Sequence, residues 1–136
     1  MHANKIAIVV KNDLLDWQKL NVVAFLSGAV AIGLPETHGK ALISASGSEY
    51  LPFLRQPVII YAANTSGEIK RAFNRAKDRE LKIGIYTDPL FTTNQESDNI
   101  AEISKVSDDQ LDLVGIVLYG ELRKVNKALN KLKFHK

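Results

Sequence analysis

The stretch Lys5-Ile6-Ala7-Ile8-Val9-Val10-Lys11-Asn12-Asp13-Leu14-Leu15-Asp16-Trp17, running on through an almost wholly apolar segment to Leu34, decides the fold. Its first seven residues are rich in Ile and Val, with a lysine at each end. A strand buried on both faces of a mostly parallel sheet reads this way. Asn12-Asp13 turns the chain, and Asp16 is placed to cap a helix that starts near Trp17. From Val22 onward this helix is apolar almost all round, with Ser27, Gly28, Ala29, Ala31 and Gly33 as its small residues. So few polar positions leave no wet face, and the helix must be covered on nearly every side. That requirement points to a homodimer.

Working outward, Leu34-Pro35 stops the helix, because the residue before proline is pushed out of the α region. Residues 36–55 carry a weak pattern, in which Ala41-Leu42-Ile43 and Tyr50-Leu51 pair as short strands around Ser46-Gly47-Ser48. Gln56-Pro57 introduces a second buried strand, Val58-Ile59-Ile60-Tyr61-Ala62-Ala63. Thr65 or Ser66 then caps a helix over residues 67–80, with Ile69, Ala72, Phe73 and Ala76 as its core stripe. Leu81-Lys82-Ile83-Gly84-Ile85-Tyr86 is a third strand, ending at Thr87-Asp88-Pro89. Residues 89–110 read as a long polar connection with a helical turn around 100–103. A fourth strand covers 111–119, and a closing helix over 121–132 aligns Leu122, Val125, Leu129 and Leu132. The order predicts one α/β domain over residues 1–136, three-layered α/β/α, on a four-stranded mixed sheet from residues near 5–11, 57–63, 82–87 and 113–119. The last strand is the expected antiparallel member, since no clear crossover helix precedes it.

At 136 residues the chain is long enough to bury a core. A net charge of +3 does not by itself imply nucleic acid. The absence of cysteine excludes disulfides, thiolate catalysis and Cys-ligated metals. His2, His38 and His135 are scattered rather than metal-spaced, so neither a metal nor a cofactor is expected. Gly39-Lys40 is no phosphate loop, because Ala41 replaces the required hydroxyl residue. Asn64-Thr65-Ser66 has the form of a glycosylation sequon and reads as a helix cap. Residues 22–34 are shorter than the roughly 20 that span a membrane, and no signal segment precedes Lys5. A soluble, cytoplasmic protein without membrane partners is the expectation.

Charge is unevenly distributed. Residues 88–112 hold seven acids and only Lys105 as a base, whereas residues 121–136 hold six Lys and Arg against Glu121. Lys124, Lys127 and Lys131 fall on one helical stripe. Such a stripe is either the solvated face opposite the core or an RNA-facing patch.

The assembled pieces resemble the peptidyl-tRNA hydrolase II-like superfamily, and most closely an uncharacterised bacterial branch of it. Val9-Val10-Lys11-Asn12-Asp13-Leu14 matches that family's strand and basic-Asn-Asp-Leu turn. Asn21-Val22-Val23-Ala24-Phe25-Leu26-Ser27-Gly28-Ala29 falls at its Lys-Val-Ala-Ala-Gln-x-x-His-Ala signature, after one extra residue. Trp17-Gln18-Lys19-Leu20-Asn21-Val22 matches the Trp-x-x-Leu-Asn-Val of the bacterial branch. Gln56-Pro57, Asp88, Thr92 and Gly115 fall in register, so the likeness covers essentially the whole chain. It implies the fold. It does not carry over the chemistry, because the signature lysine is Asn21 here, the glutamine is Phe25 and the histidine is Gly28.

Two catalytic candidates remain, Asp88 and Thr92. Asp88 ends a strand at the sheet edge where α/β proteins place ligands, with Thr92 and Thr93 beside it to orient a water or hold a substrate hydroxyl. Asn12 and Asp13 lie at the corresponding end of the first strand. Two carboxylates there could share one cleft, as an acid–base pair does. An Asp-Pro turn and a helix-capping Asp13 explain the same residues without chemistry. Lys19, Asn21 and Thr93 complete the ligand-binding candidates. Two readings follow. In the first, the chain is a small-molecule-binding or assembly module without peptidyl-tRNA hydrolase activity. In the second, it hydrolyses small esters or tRNA-linked conjugates with Asp88 and Thr92. RNA binding without catalysis is a third, weaker alternative.

Overall fold

The computed structural model describes residues 2–136. Its central strands are the two most deeply buried, β1 (Asn4–Lys11) and β6 (Leu113–Glu121), which pair antiparallel. With β4 (Val58–Ala63), β5 (Lys82–Thr87) and β7 (Lys133–Phe134) they form one sheet, ordered β5-β6-β1-β4-β7. β1 and β4 are parallel, from Ile6 opposite Val58 to Lys11 opposite Ala63. β5 runs antiparallel to β6, and β7 antiparallel to β4. All four expected strands are present, and the strand near 113–119 is antiparallel as expected. The sheet nevertheless has five strands, not four.

The fifth strand comes from residues just beyond the closing helix expected over 121–132. That helix, α4 (Leu122–Ala128), stops early, and Lys131 takes a left-handed φ of 76° that turns the chain back onto β4. Leu132 still packs against the core, but from a turn. The stripe expected of Lys124, Lys127 and Lys131 is therefore broken, because Lys131 has left the helix.

Strand alternation divides the core between two faces. Ile6, Ile8 and Val10 face α1 (Asp16–Gly33), whose Val22, Leu26 and Val30 form a four-residue repeat against the sheet. Each of those three contributes about 1.5–3 kcal/mol by leaving water. Ala7 and Val9 face the other layer, made of α2 (Ser66–Asp78) and α4. Gly115 lets α1 sit this close, since a Cβ there would collide with Val22 Cγ1 and stand 3.3 Å from Leu26 Cδ1. At the start of α1, Leu15 rather than Asp16 holds the cap position, and Gln18 Oε1 accepts from the Leu15 N–H at 2.9 Å. Asp16 is the first helical residue. α2 begins as expected: Thr65 Oγ1 accepts from the Glu68 N–H at 3.1 Å.

The hairpin in residues 36–55 also forms, with β2 (Leu42–Ile43) against β3 (Glu49–Tyr50) and Gly47 at a φ of 86° in its turn. It is tied down at its base. Gly39 N–H donates to the Phe53 carbonyl and Arg55 N–H to the Thr37 carbonyl, both at 2.9 Å. His38 Nε2 reaches the Ala31 carbonyl of α1. Beyond that base the arm leaves Leu42, Ile43, Tyr50, Leu51 and Phe53 exposed.

Residues 89–110 hold more structure than their polarity suggests, including α3 (Glu96–Ser104). The connection leaves and re-enters the sheet at the same edge, where the Asp88 N–H donates to the Asp112 carbonyl at 3.0 Å. α3 therefore makes no crossover, and β6 stays antiparallel although a helix precedes it. Among the described residues, no helix is long and apolar enough to cross a membrane.

Candidate functional site

The C-terminal ends of β1, β4 and β5 lie along one edge of the sheet, and a cavity opens on each side of α1 at that edge. The larger, about 970 Å³, lies between α1, the end of β5 and α3. The helical repeat of α1 puts Asn21, Phe25 and Ala29 on its wall beside Leu26. β5 contributes Ile85 and Tyr86, the 3₁₀ turn Asp88–Thr92 contributes Leu90 and Phe91, and α3 closes it with Asn99, Ile100 and Ile103.

Aromatic rings frame this cavity. Tyr86 meets Phe91 at 4.9 Å between centroids and Phe25 edge-on at 6.0 Å, and Trp17 meets Phe91 at 5.7 Å. Burial pushes the Tyr86 phenol above its ordinary range, so it remains a protonated donor. The polar groups are mostly amides and hydroxyls. Thr93 Oγ1 donates to the Leu90 carbonyl at 2.9 Å and meets the Asn99 amide, which fixes the start of α3 against the turn. Glu96 is the one charged side chain in the wall among the described residues.

The second cavity, about 580 Å³, lies at the ends of β1 and β4 beside β7. Asn12 Nδ2 donates to Asn64 Oδ1 at 3.3 Å. Lys19 Nζ bridges from α1 to Asn12 Oδ1 at 3.4 Å and to His135 Nε2 at 3.3 Å. His135 Nδ1 faces the Lys136 carbonyl at 2.7 Å and so carries the ring proton, leaving Nε2 to accept. Arg71, Lys131, Lys133 and Lys136 complete a basic lining.

The residues expected from sequence are thus divided. Asn21 and Thr93 meet in the apolar cavity, and Asn12 and Lys19 meet at the basic one. Asp13 is exposed and faces Lys11 at 3.9 Å, and Asp88 is exposed at the start of its turn. β6 lies between β1 and β5, so their ends stand two inter-strand spacings apart, about 10 Å. Neither Asp13 nor Asp88 lines either cavity. Thr92 Oγ1 donates back to the Pro89 carbonyl at 3.1 Å.

Sequence reasoning missed Phe25, Tyr86, Phe91, Asn99 and Arg71 as site residues. An available signal was aromatic density beside an amide-rich turn at a strand end.

No curated protein matches the chain. A solved structure does, that of a protein of unknown function, Atu0240, from Agrobacterium tumefaciens strain C58. It is 29% identical to this chain, covers 100% of both chains and superposes with a TM-score of 0.94. The family described as "Protein of unknown function (DUF2000)" matches residues 4–136. Over nearly its whole length, then, the chain belongs to the DUF2000 family.

Proposed function

We propose that this chain is a small-molecule-binding module without peptidyl-tRNA hydrolase activity, and that its ligand occupies the cavity between α1, β5 and α3. The carrying observation is the character of that cavity. At about 970 Å³ it falls within the range typical of ligand sites, roughly 300–1,000 Å³. Its walls are mostly apolar and aromatic, with amide and hydroxyl groups at one side, which suits a compact uncharged molecule that can exchange hydrogen bonds with Asn21, Thr93 and Asn99.

The chemistry of peptidyl-tRNA hydrolysis has little to act with. Asn21 and Gly28 stand where the resembled superfamily has its lysine and histidine, and a positioned acid–base group contributes on the order of 10²–10⁴-fold. The alternative, hydrolysis of small esters or tRNA-linked conjugates by Asp88 and Thr92, draws less support, because those residues lie outside the cavity and the Thr92 hydroxyl is turned onto its own turn. The test uses acetanilide, an uncharged aromatic amide. It should raise the melting temperature of the protein in a saturable way, and Ala29→Phe should abolish the rise by filling the cavity. Peptidyl-tRNA should stay intact in the same preparation. Equal stabilisation of Ala29→Phe would remove the site, and turnover of peptidyl-tRNA lost in Asp88→Asn would favour the alternative.

A second reading, assembly as a homodimer, has its own observation. On α1 the outward side chains Leu20 and Ile32 are 71% and 86% exposed, and the arm adds Leu42, Ile43, Tyr50, Leu51 and Phe53. At the area of a large apolar side chain, these leave on the order of 800 Å² open, and a stable interface takes about that much from each partner. A two-stranded hairpin is marginal by itself, so its occupant is a second copy that packs against arm and helix together. Sedimentation should give twice 15.1 kDa, and Ile32→Asp with Phe53→Asp should return it to that value. A wild-type protein that sediments as the monomer at all concentrations would refute the assembly.

A further inference from the structure

The basic cavity gathers cations that stand in no ion pair among the described residues, as a smaller hollow lined by Arg75, Arg79 and Lys127 also does. Lys11, Lys77 and Lys105 each face a carboxylate, on Asp13, Asp108 and Glu102 respectively. Among the described residues, Arg71, Lys131, Lys133 and Lys136 are in no ion pair, although all four line one concave surface of about 580 Å³. The one carboxylate among the lining side chains is Glu68, and its Oε1 is taken by the Asn64 N–H at 3.3 Å. Four cations gathered around a cavity repel one another, and an anion placed among them removes that cost. The position is also one where α/β proteins hold ligands, outside the carboxyl ends of the parallel pair β1 and β4.

Two further features narrow the ligand. The amides of Asn12 and Asn64 and the Lys19 ammonium sit at the rim, adding donors that a phosphate oxygen accepts. Phe134, 66% exposed, lines the same cavity with its ring tilted 42° against Tyr61. It offers a face on which a planar group can stack. We propose that this cavity is a second binding site, for a small phosphate ester with a planar body, of the nucleoside diphosphate class. The phosphates lie among Arg71, Lys131 and Lys133, where Arg71 can engage two oxygens at once, and the planar body lies on Phe134.

The test is calorimetric titration of the full-length chain with ADP, pyrophosphate and adenosine. ADP and pyrophosphate should bind saturably and adenosine should not. Arg71→Gln combined with Lys133→Gln should weaken both by about tenfold or more, the loss expected for hydrogen bonds to a charged group. Phe134→Ala should weaken ADP by about tenfold and leave pyrophosphate unchanged. Lys124→Gln with Lys127→Gln, on α4 outside the cavity, should change neither, and circular dichroism identifies any variant that fails to fold. No saturable binding of ADP or pyrophosphate by the folded wild type would overturn the proposal. Equal loss in the α4 variant, or binding confined to a long RNA with a steep salt dependence, would overturn it too.

Discussion

The two cavities at the strand ends share α1 as a neighbour and sit on the same edge of the same sheet, yet their chemistry is opposite. One is walled by Phe25, Tyr86, Phe91 and Ile100, with Glu96 as its one charge among the described residues. The other gathers Arg71, Lys131, Lys133 and Lys136. The difference follows from where each wall comes from. The apolar cavity lies against the α1 core, between that helix and a loop of whose acids Glu96 alone lines the wall. The basic cavity is made where the Lys-rich C-terminal segment folds back as β7 onto β4. A single sheet edge can therefore present two unrelated surfaces, and membership in a fold says little about either.

The sharpest way to separate them is through Gly115. An alanine there drives a methyl group into Val22 and Leu26, and α1 must lift from the sheet or the side chains must repack. The expected cost is about 1–3 kcal/mol, typical of overpacking a dense core, read as a shift in the urea midpoint. Because Leu26, Phe25 and Ala29 ride on α1, acetanilide binding should weaken along with stability, while pyrophosphate binding stays near wild type. Equal losses at both cavities would mean that they are one cooperative unit, and the contrast would fail.

A smaller effect probes the apolar wall alone. The raised Tyr86 phenol means that the folded chain holds this proton more tightly than the unfolded chain does. The contribution to stability is therefore full below the ordinary tyrosine value near 10 and is lost as pH rises through the higher folded value. In an ultraviolet titration of the four tyrosines, one should ionise late, and Tyr86→Phe should remove that late component. If Tyr86→Phe removes an ordinary component instead, the wall is wetter than its packing implies.

Much of the frame was legible in the chain because it rests on local patterns. The continuous apolar run Ile6–Val10 specifies a buried strand, and the spacing of Ile69, Ala72, Phe73 and Ala76 specifies α2 and its buried face. By contrast, α1 is apolar almost all round and does not mark Val22, Leu26 and Val30 as the side it buries. β7 was not legible, since Lys133 and Phe134 show no period. The left-handed turn at Lys131 that delivers them also carries no glycine to mark it. α3 was seen only as a turn, because its sequence Glu-Ser-Asp-Asn-Ile-Ala-Glu-Ile-Ser buries no residue fully. Of the site, sequence supplied Asn21 and Thr93 to one cavity and Asn12 and Lys19 to the other, but as one set. Their separation depends on β6 lying between β1 and β5, a long-range pairing that no local pattern encodes. Asp88 stands out in the sequence because it ends a strand, yet the cavity is built from residues further along the turn and from the helix beyond it.

The most direct test of the ligand-binding account is a two-dimensional NMR titration of the ¹⁵N-labelled protein with acetanilide. The account predicts saturable shifts at the amides of Tyr86, Phe91, Asn99 and Ile100, with those of Asn64, Arg71 and Lys133 unmoved. Shifts centred on Asn64 and Lys133, or none that saturate, would contradict it.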